Sequence, residues 1–466
     1  MELDRATMNL RFFFMLEETM SIDYSQKSYW LNTYGPYTPN AAVQGDITVD
    51  VAIIGGGFTG LSTAYFLRKT EPTLKVAVLE GEVVGFGASG RNGGFAMTLF
   101  GLEPAVTAML FGKQRTVEAH HYCERSVDLV CDLIRENNIQ SDFEYSGFLR
   151  LATTPGYVKR IQHDIELLTS LGVTGIKWID QQEARAEVDS PLVLGAWKEA
   201  RCGILNPAKQ VRELKRIAQE VGAVVYEGSP VNEIRRGAKF TLQTPDGTVT
   251  ADKIVFATNA YSHLISEIRN KQVPAFTHMV ITEPLSKSQM DSIGWKNRQG
   301  LEDARNLVHY LRLTVDNRLA IGGSDVTISY GMDLDRDLNE KTFRQLEKDT
   351  VELFPGLKDV KFTFRWGGPV SVTLQMAPAI GMVGDQRAWY SLGCVGHGVA
   401  PTHLNGQTLS DLLLERKTDL TAVWFVERKP VVWPPEPLRW VASQALLGYL
   451  HTEDWWYERG MKSATQ

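Results

Sequence analysis

Apolar positions in this chain follow two rhythms that alternate from end to end. Val49, Val51, Ala52, Ile53 and Ile54 make a short, nearly unbroken run, suited to a parallel strand covered on both faces. Leu61, Ala64, Tyr65 and Leu67 then recur at helical spacing, and Leu74 to Leu79 form a second apolar run. Further along, the pattern predicts a helical region over Leu102 to Asn138, an alternating strand over Phe143 to Thr153 and an amphipathic helix over Tyr157 to Leu171. Pro207 to Val221 reads as a helix that leads into a strand at Ala223 to Tyr226. Lys253 to Ala257 is a third buried strand, ending in a small-residue turn at Ala260. Strands are expected at His278 to Thr282, His309 to Thr314 and Arg318 to Gly322, the last two joined by an Asp316-Asn317 turn. Leu338 to Phe354 reads as a helix stopped by Pro355-Gly356. Trp389 to Leu392 is a strand before a helix over Pro401 to Leu414.

The junction between the first strand and the first helix carries chemistry. Gly55, Gly57 and Gly60 follow Ile54 at G-x-G-x-x-G spacing, with Phe58 and Thr59 inside the turn. Gly55 permits a tight turn, Gly57 lets backbone approach a pyrophosphate, and Gly60 lets the helix lie close to the strand. The helix N-terminus attracts phosphate charge through its free N–H groups. Glu80, at the end of the second strand and about 20 residues past the last glycine, is placed to accept hydrogen bonds from a ribose diol. Strand, glycines, helix, strand and acid in this order predict a dinucleotide-binding βαβ unit. Residues 51–67 carry no charge, but their length, glycines and strand-like start exclude a membrane span.

At 466 residues the chain exceeds the size at which one core stops growing, so two domains are expected. With 43% hydrophobic and 22% charged residues it reads as an ordinary soluble globular protein. A net charge of −6 gives no electrostatic footprint for nucleic acid. Cys123, Cys131, Cys202 and Cys394 show no metal-binding spacing and read as reduced thiols in a cytoplasmic enzyme; no metal site is expected. The apolar patch Phe12 to Leu16 is shorter than the core of a secretion signal. There is no internal repeat or low-complexity tract.

After Glu80 the chain leaves the pattern of a nicotinamide dehydrogenase. Gly85 to Gly94 holds five glycines in ten residues, either a mobile surface loop or one whose backbone must touch something flat or anionic. Four stretches, VDVAIIGGGFTGLSTAYFL, LEGEVVGFGASGRNGG, YLRLTVDNRLAIGG at 310–323 and GCVGHGVAPTHLNGQTLSDLL at 393–413, resemble the D-amino-acid-oxidase-like FAD amine oxidoreductases. The likeness is collinear from about Gln26 to Leu414 and is nearest to the γ-glutamylputrescine oxidoreductase branch. It implies an α/β architecture: a Rossmann-like FAD-binding domain of discontinuous segments with an inserted mixed β-sheet, α+β substrate domain. The corresponding boundaries are 48–140, 203–262 and 375–415 for FAD, and 141–202 and 263–374 for substrate. Residues 1–47 form an N-terminal arm and 416–466 a C-terminal helical extension.

The resemblance also implies roles. Ala88, Ser89, Arg91, Asn92 and Gly93 of the glycine loop would contact FAD, as would Val231 beside the adenine, and Gly396, His397, Gly398 and Thr402 at the flavin. The helix after Gly398 points its N-terminus back at that turn, suited to the negative charge of a reduced flavin. His397 and Arg91 are the catalytic candidates, although a lone histidine is more often a structural hydrogen-bonding residue. Relatives with covalent flavin carry a histidine near Asn92 or a cysteine near 370–373; neither occurs here, so FAD is expected to be noncovalent. The expected reaction is oxidative deamination of a primary or secondary amine, with hydride transfer to flavin, imine hydrolysis and reoxidation by O2 to hydrogen peroxide. A dehydrogenase that passes electrons to a quinone or carrier protein, and a flavin-binding accessory subunit without turnover, are the alternatives. Residues 318–323 hold no lysine to assist O2, which leaves oxidase and dehydrogenase open.

Tyr310, Arg312, Asp325 and Arg365 are the substrate candidates. An arginine fork matches a carboxylate, although an arginine on a strand more often pairs with a nearby acid. The substrate would be a γ-glutamylated amine, an N-methyl amino acid or an aminophosphonate. In the tail, Leu438, Val441, Ala442, Ala445, Leu446 and Tyr449 form one apolar helix face. It packs on its own domain, on a second subunit as a homodimer, or on a membrane surface.

Overall fold

The computed structural model describes residues 7–9, 23–334 and 336–459. The patch Phe12 to Leu16 and the end of the tail, 460–466, lie outside the described residues. Two large sheets organise the molecule. In chain order the strands are β1 Thr7–Asn9, β2 Gly45–Ile54, β3 Val76–Leu79, β4 Phe95–Ala96, β5 Phe148–Ala152, β6 Ile176–Asp180, β7 Gly195–Glu199 and β8 Gly203–Ile204. They continue as β9 Val224–Tyr226, β10 Glu233–Arg236, β11 Phe240–Gln243, β12 Gly247–Phe256, β13 Val273–Thr282, β14 Gly300–Asp303 and β15 His309–Leu313. The last four are β16 Leu319–Gly323, β17 Phe362–Val372, β18 Ala379–Val383 and β19 Asp385–Leu392. The helices are α1 Tyr29–Tyr34, α2 Phe58–Thr70, α3 Pro104–Phe111, α4 Lys113–Glu136, α5 Pro155–Ser170 and α6 Gln181–Glu187. After them come α7 Pro207–Glu220, α8 Lys287–Ile293, α9 Glu340–Leu353, α10 Val399–Leu413 and α11 Leu438–Glu458.

The first sheet runs β1-β10-β11-β12-β2-β3-β9, and the end of β12 also pairs with β19, which pairs in turn with β18. Its centre is parallel: β2 lies between β3 and β12, and Ile53 aligns with Val78 and Val255. Those strands are apolar throughout because helices cover one face and a second core cluster fills the other. The second sheet runs β17-β13-β16-β15-β14-β5-β7-β6 and is mostly antiparallel, with one parallel pair, β14 and β5. The architecture is therefore the mixed α/β class the sequence predicts.

Differences from the expected elements have local causes. The helical region over 102–138 is two helices, broken at Gly112, whose φ of +91° no helix accommodates. The alternating strand expected from Phe143 begins only at Phe148, because Gly147 turns the chain with φ +83°. Asn317 takes the left-handed conformation in the turn between β15 and β16, as an Asp-Asn pair allows.

Helix α11 is inside out. Arg439, Ser443 and Asp454 are its buried residues, whereas Trp440, Val441, Tyr449, Trp455 and Trp456 face solvent. It is held by polar contacts: Asp454 accepts from the N–H groups of Asn306 and Leu307 and from the hydroxyl of Tyr157. Beneath it, buried His309 lies between Asp303 and Asp349, with 2.8 Å from Nδ1 and Nε2 to one oxygen of each. Burial opposes the imidazolium, but the two carboxylates outweigh it and push the histidine up to about 9. The folded state thus binds this proton more tightly than the unfolded chain does. Its contribution to stability is complete below the ordinary value of 6.5 and is lost as pH rises through about 9. Thermal unfolding measured from pH 6 to 10 is expected to show a falling Tm across that window, on the order of a few kcal/mol in all. His309→Gln is expected to lower Tm at pH 6 and to flatten this decline.

Candidate cofactor and active site

A long cleft follows the C-terminal edge of the parallel strands. At its middle, Gly55 turns the chain out of β2 with φ +112°, and a Cβ there would stand 2.6 Å from the Ala257 carbonyl oxygen. A Cβ on Gly60 would stand 1.9 Å from the Gly55 oxygen, so only glycine allows α2 to start this close to the strand. Gly57 faces the Ser89 hydroxyl, which accepts the Phe58 N–H at 3.0 Å and ties the glycine loop to the helix start. Gly55, Gly57, Phe58 and Thr59 line the cleft, as do Ala88, Ser89 and Asn92.

Glu80 closes one end. One of its oxygens accepts the Gly56 N–H at 2.7 Å and the other the Glu82 N–H at 3.0 Å. Burial pushes the carboxyl up to about 7 even though these two donors favour its charged form. Val231 and Pro230 stand beside it. At the other end Gly396, Gly398, Val399 and Thr402 form the wall where α10 begins. A Cβ on Gly398 would come within 2.8 Å of the Cys394 Cβ, so this turn is packed to backbone. Two helix N-termini, of α2 and α10, therefore meet one cleft, and its lining contains no Lys or Arg among the described residues. The helix ends are its positive features.

A family model described as FAD dependent oxidoreductase (DAO) matches residues 50–412. The chain belongs to this family. It is 31% identical to gamma-glutamylputrescine oxidoreductase of Escherichia coli (strain K12), over 83% of this chain and 88% of that protein. It is 25% identical to sarcosine oxidase subunit beta of Arthrobacter sp, over 81% and 90%. The crystal structure of glycine oxidase from Geobacillus kaustophilus superposes with a TM-score of 0.69 at 21% identity, covering 82% of this chain and 99% of that one. The fold and the FAD cofactor of the family are those of this chain.

FAD fits what the residues offer. The buried Glu80 carboxylate would accept from a ribose diol, the α2 N-terminus would hold a pyrophosphate, and the glycine turns leave backbone where side chains would obstruct. When bound, FAD would supply a two-electron acceptor.

Several residues singled out in the sequence stand elsewhere. Arg91 is buried away from the cleft: its guanidinium lies over the Phe86 ring at 4.7 Å, donates to the Phe86 carbonyl at 2.6 Å and pairs with Asp337 at 2.7 Å. It clamps the glycine loop to the Asp337 segment beside the second sheet. Asn92 lines the cleft, but its side chain closes its own turn, accepting from Gly94 and donating to Ala88. Gly60 and Gly93 lie behind the lining, where their small size serves packing. His397 sits between two lining glycines, but its ring turns from the cleft toward Glu302 of β14, Nε2 to Oε1 3.6 Å.

The expected carboxylate anchors are corrected most. Arg312 is 1% exposed, lies over Trp30 and donates to the carbonyls of Gly93 and Leu205; burial lowers it to about 10. It props the glycine loop and has no room for a substrate. Arg365 pairs with Glu347 on the outer side of β17, and Asp325 with His451 of α11. Tyr310 also faces the glycine loop, its ring against Gly93, Phe95 and Gly322.

The structure adds residues that the patterns did not single out. Tyr261, Ser391 and Asn405 join Thr258 and Asn259 of the small-residue turn after β12, which the sequence did mark, to complete the cleft. Register places Arg150, Glu302, Tyr310 and Gly322 directly opposite one another across β5, β14, β15 and β16, in one row on one face. Glu302 carried no local signal, since in the sequence it is an acid before Asp303 in a turn-like stretch.

Glu80→Gln replaces an acceptor with an amide that must point a donor at one of two N–H groups. Hydrogen bonds to a charged partner contribute about 1.5–3 kcal/mol, so FAD affinity is expected to fall about 10- to 100-fold. Reconstitution of the apoprotein, followed by flavin fluorescence quenching, measures it; an unchanged Kd would remove Glu80 from the site.

Proposed function

We propose that this protein oxidises a primary or secondary amine with noncovalent FAD. Hydride leaves the amine α-carbon for the flavin, water hydrolyses the imine, and O2 takes the electrons to give hydrogen peroxide. In this reading segments 48–140, 203–262 and 375–415 hold FAD and segments 141–202 and 263–374 receive the amine. The observation that carries it is the buried polar row of Glu302 and Tyr310, set against the glycine loop and the His397 turn at the flavin end of the cleft. A buried carboxylate without a basic hydrogen-bond partner suits a cationic amine more than a carboxylate head group. The names of the relatives, gamma-glutamylputrescine oxidoreductase and sarcosine oxidase, support an amine with a polar or anionic tail: a γ-glutamylated amine, an N-methyl amino acid or an aminophosphonate. Noncovalent attachment is supported by Cys394, whose thiol is pushed up by burial and turned 3.5 Å from Asn259 Oδ1.

A second reading has its own observation. An α11 that buries Arg439 and Asp454 and exposes Trp440, Tyr449, Trp455 and Trp456 suits a dehydrogenase that docks where a quinone or carrier protein takes the electrons. Among the described residues no helix is long and apolar enough to cross a membrane, so such docking would be peripheral.

Anaerobic titration of the holoenzyme with a panel of amines, amino acids and aminophosphonates is expected to bleach the visible flavin band with an amine. Colour returning within the mixing time after air is admitted marks an oxidase, and slow return marks the dehydrogenase. No bleaching by any member would favour a flavin-binding subunit without turnover and defeat the proposal.

A further inference from the structure

Most of the large apolar side chains that the described residues leave in solvent lie on three segments. Helix α3 exposes Met109 and Leu110, and the stretch after Trp424 exposes Val431 and Val432. Helix α11 exposes Leu438, Val441, Tyr449, Trp455 and Trp456. These segments join at their ends. At the start of α3, Glu103 shares Arg160 with Glu453 of α11, at 3.7 and 3.5 Å. At its end, Phe111 packs on Trp424, ring centroids 4.7 Å apart. From there the chain passes Gln375, whose Oε1 accepts the Val431 N–H at 3.5 Å, and Glu436 then leads into α11. The result is a collar beside the α10 end of the cleft: Gly101, just before α3, lies against Val395, which stands between the lining residues Cys394 and Gly396. Half-exposed side chains of this size each leave roughly 100 Å² in water, so the collar presents on the order of 1,000 Å², against about 300–600 Å² for the largest apolar patch of a typical monomer. A patch of that size marks a contact surface.

Charge decides what covers it. The acids that flank α3 and α11 are neutralised by arginines: Glu103 pairs with Arg150, Glu436 with Arg439, Glu453 with Arg160 and Glu458 with Arg305. Lys113, Arg115 and Lys429 are exposed and have no carboxylate partner among the described residues, and the stretch from Trp424 to Pro437 sets only Glu427 against them as an exposed acid. Arg115 and Arg428 both lie over the Trp424 ring, at 5.8 and 5.6 Å, and Arg428 donates to neutral acceptors alone, Gln375 and the Ala377 and Pro378 carbonyls. In a chain of net charge −6, the free charge around this apolar collar is thus positive. We infer that the collar rests on the surface of an anionic lipid bilayer, with its aromatic and aliphatic side chains at the headgroup–acyl boundary and Lys113, Arg115 and Lys429 against lipid phosphates. Trp and Tyr suit that boundary because each ring has an apolar body and a polar edge. Unpaired cations beside an apolar face gain from the negative surface potential of such a membrane. A second copy of this chain would offer the collar the same unpaired cations and few free carboxylates. Among the described residues no helix can cross a membrane, so the contact is peripheral. It would hold the α10 end of the cleft beside the bilayer, within reach of lipid-soluble molecules. The contact goes beyond both functional readings and holds whichever acceptor takes the electrons.

The test is flotation of the holoenzyme with unilamellar vesicles, one set of phosphatidylcholine alone and one of phosphatidylcholine and phosphatidylglycerol in equal parts. Wild type is expected to float with the mixed vesicles and to be released progressively by added salt, which screens the surface potential. Replacing Trp455→Ser together with Trp456→Ser removes two exposed rings and is expected to weaken binding about 10²-fold. Replacing Lys113→Gln together with Lys429→Gln is expected to weaken binding to the mixed vesicles about 10-fold and to leave phosphatidylcholine binding unchanged. All four side chains are exposed, and an unaltered visible flavin spectrum confirms that each variant is folded. A wild-type protein that does not float with the mixed vesicles, or binding that responds to neither pair of substitutions, would overturn the inference. So would a wild-type dimer in sedimentation velocity that the tryptophan variant splits into monomers, since the collar would then belong to a second copy.

Discussion

Two helix N-termini must reach the same cleft, and that approach is what the rest of the molecule is arranged around. Each helix end carries unpaired N–H groups and about half a positive charge that falls off within a turn, so proximity decides its worth. The approach of α2 depends on Gly60 lying against the Gly55 carbonyl, where a Cβ would collide at 1.9 Å. The approach of α10 depends on Gly398 at its start and on Gly406 against Ser62 of α2, where a Cβ would stand 2.4 Å from another. Because both helices are held at backbone distance, the lining needs no lysine or arginine to offer positive potential. A cleft charged by fixed dipoles undergoes little reorganisation when the charge of its ligand changes.

The second constraint is the fastening of the second sheet to the glycine loop. Arg91 reaches from the loop to Asp337, and Trp366 of β17 donates its indole N–H to the Arg91 carbonyl at 2.8 Å. Arg312 reaches the other way, from β15 to the Gly93 and Leu205 carbonyls. These are buried, charge-assisted ties whose partners lie far apart in the chain, and they fix where the polar row of β14 and β15 lies relative to the cleft. Arg312, expected as an anchor, and Arg91, expected at the flavin, are thus the ties between the glycine loop and the second sheet. Their chemistry, a planar fork for oxygen acceptors, is the same; carbonyls and an aspartate occupy it in place of a substrate.

The chain by itself determined the cofactor half of this protein. Gly55, Gly57, Gly60 and Glu80 lie within one contiguous βαβ unit, where spacing along the sequence translates directly into geometry through fixed strand and helix dimensions. The same holds for the Gly396 to Thr402 turn, because a strand, two glycines and a helix start are all local. The strands expected at 278–282, 309–314 and 318–322 appear for a similar reason, their apolar patterns matching burial on a sheet. What only the tertiary structure decided is which side chains meet at the far side of the cleft. Glu302 faces His397 because β14 lies between β5 and β15, and Arg312 turns from any ligand because Trp30, Gly93 and Leu205 converge on it. Helix α11 shows the same limit: its apolar stripe was legible, yet the buried face is the polar one, because Asp454 is needed by the backbone of residues 306 and 307. Local periodicity fixes which faces an element has; the partners that cover them come from distant parts of the chain, and only packing assigns those.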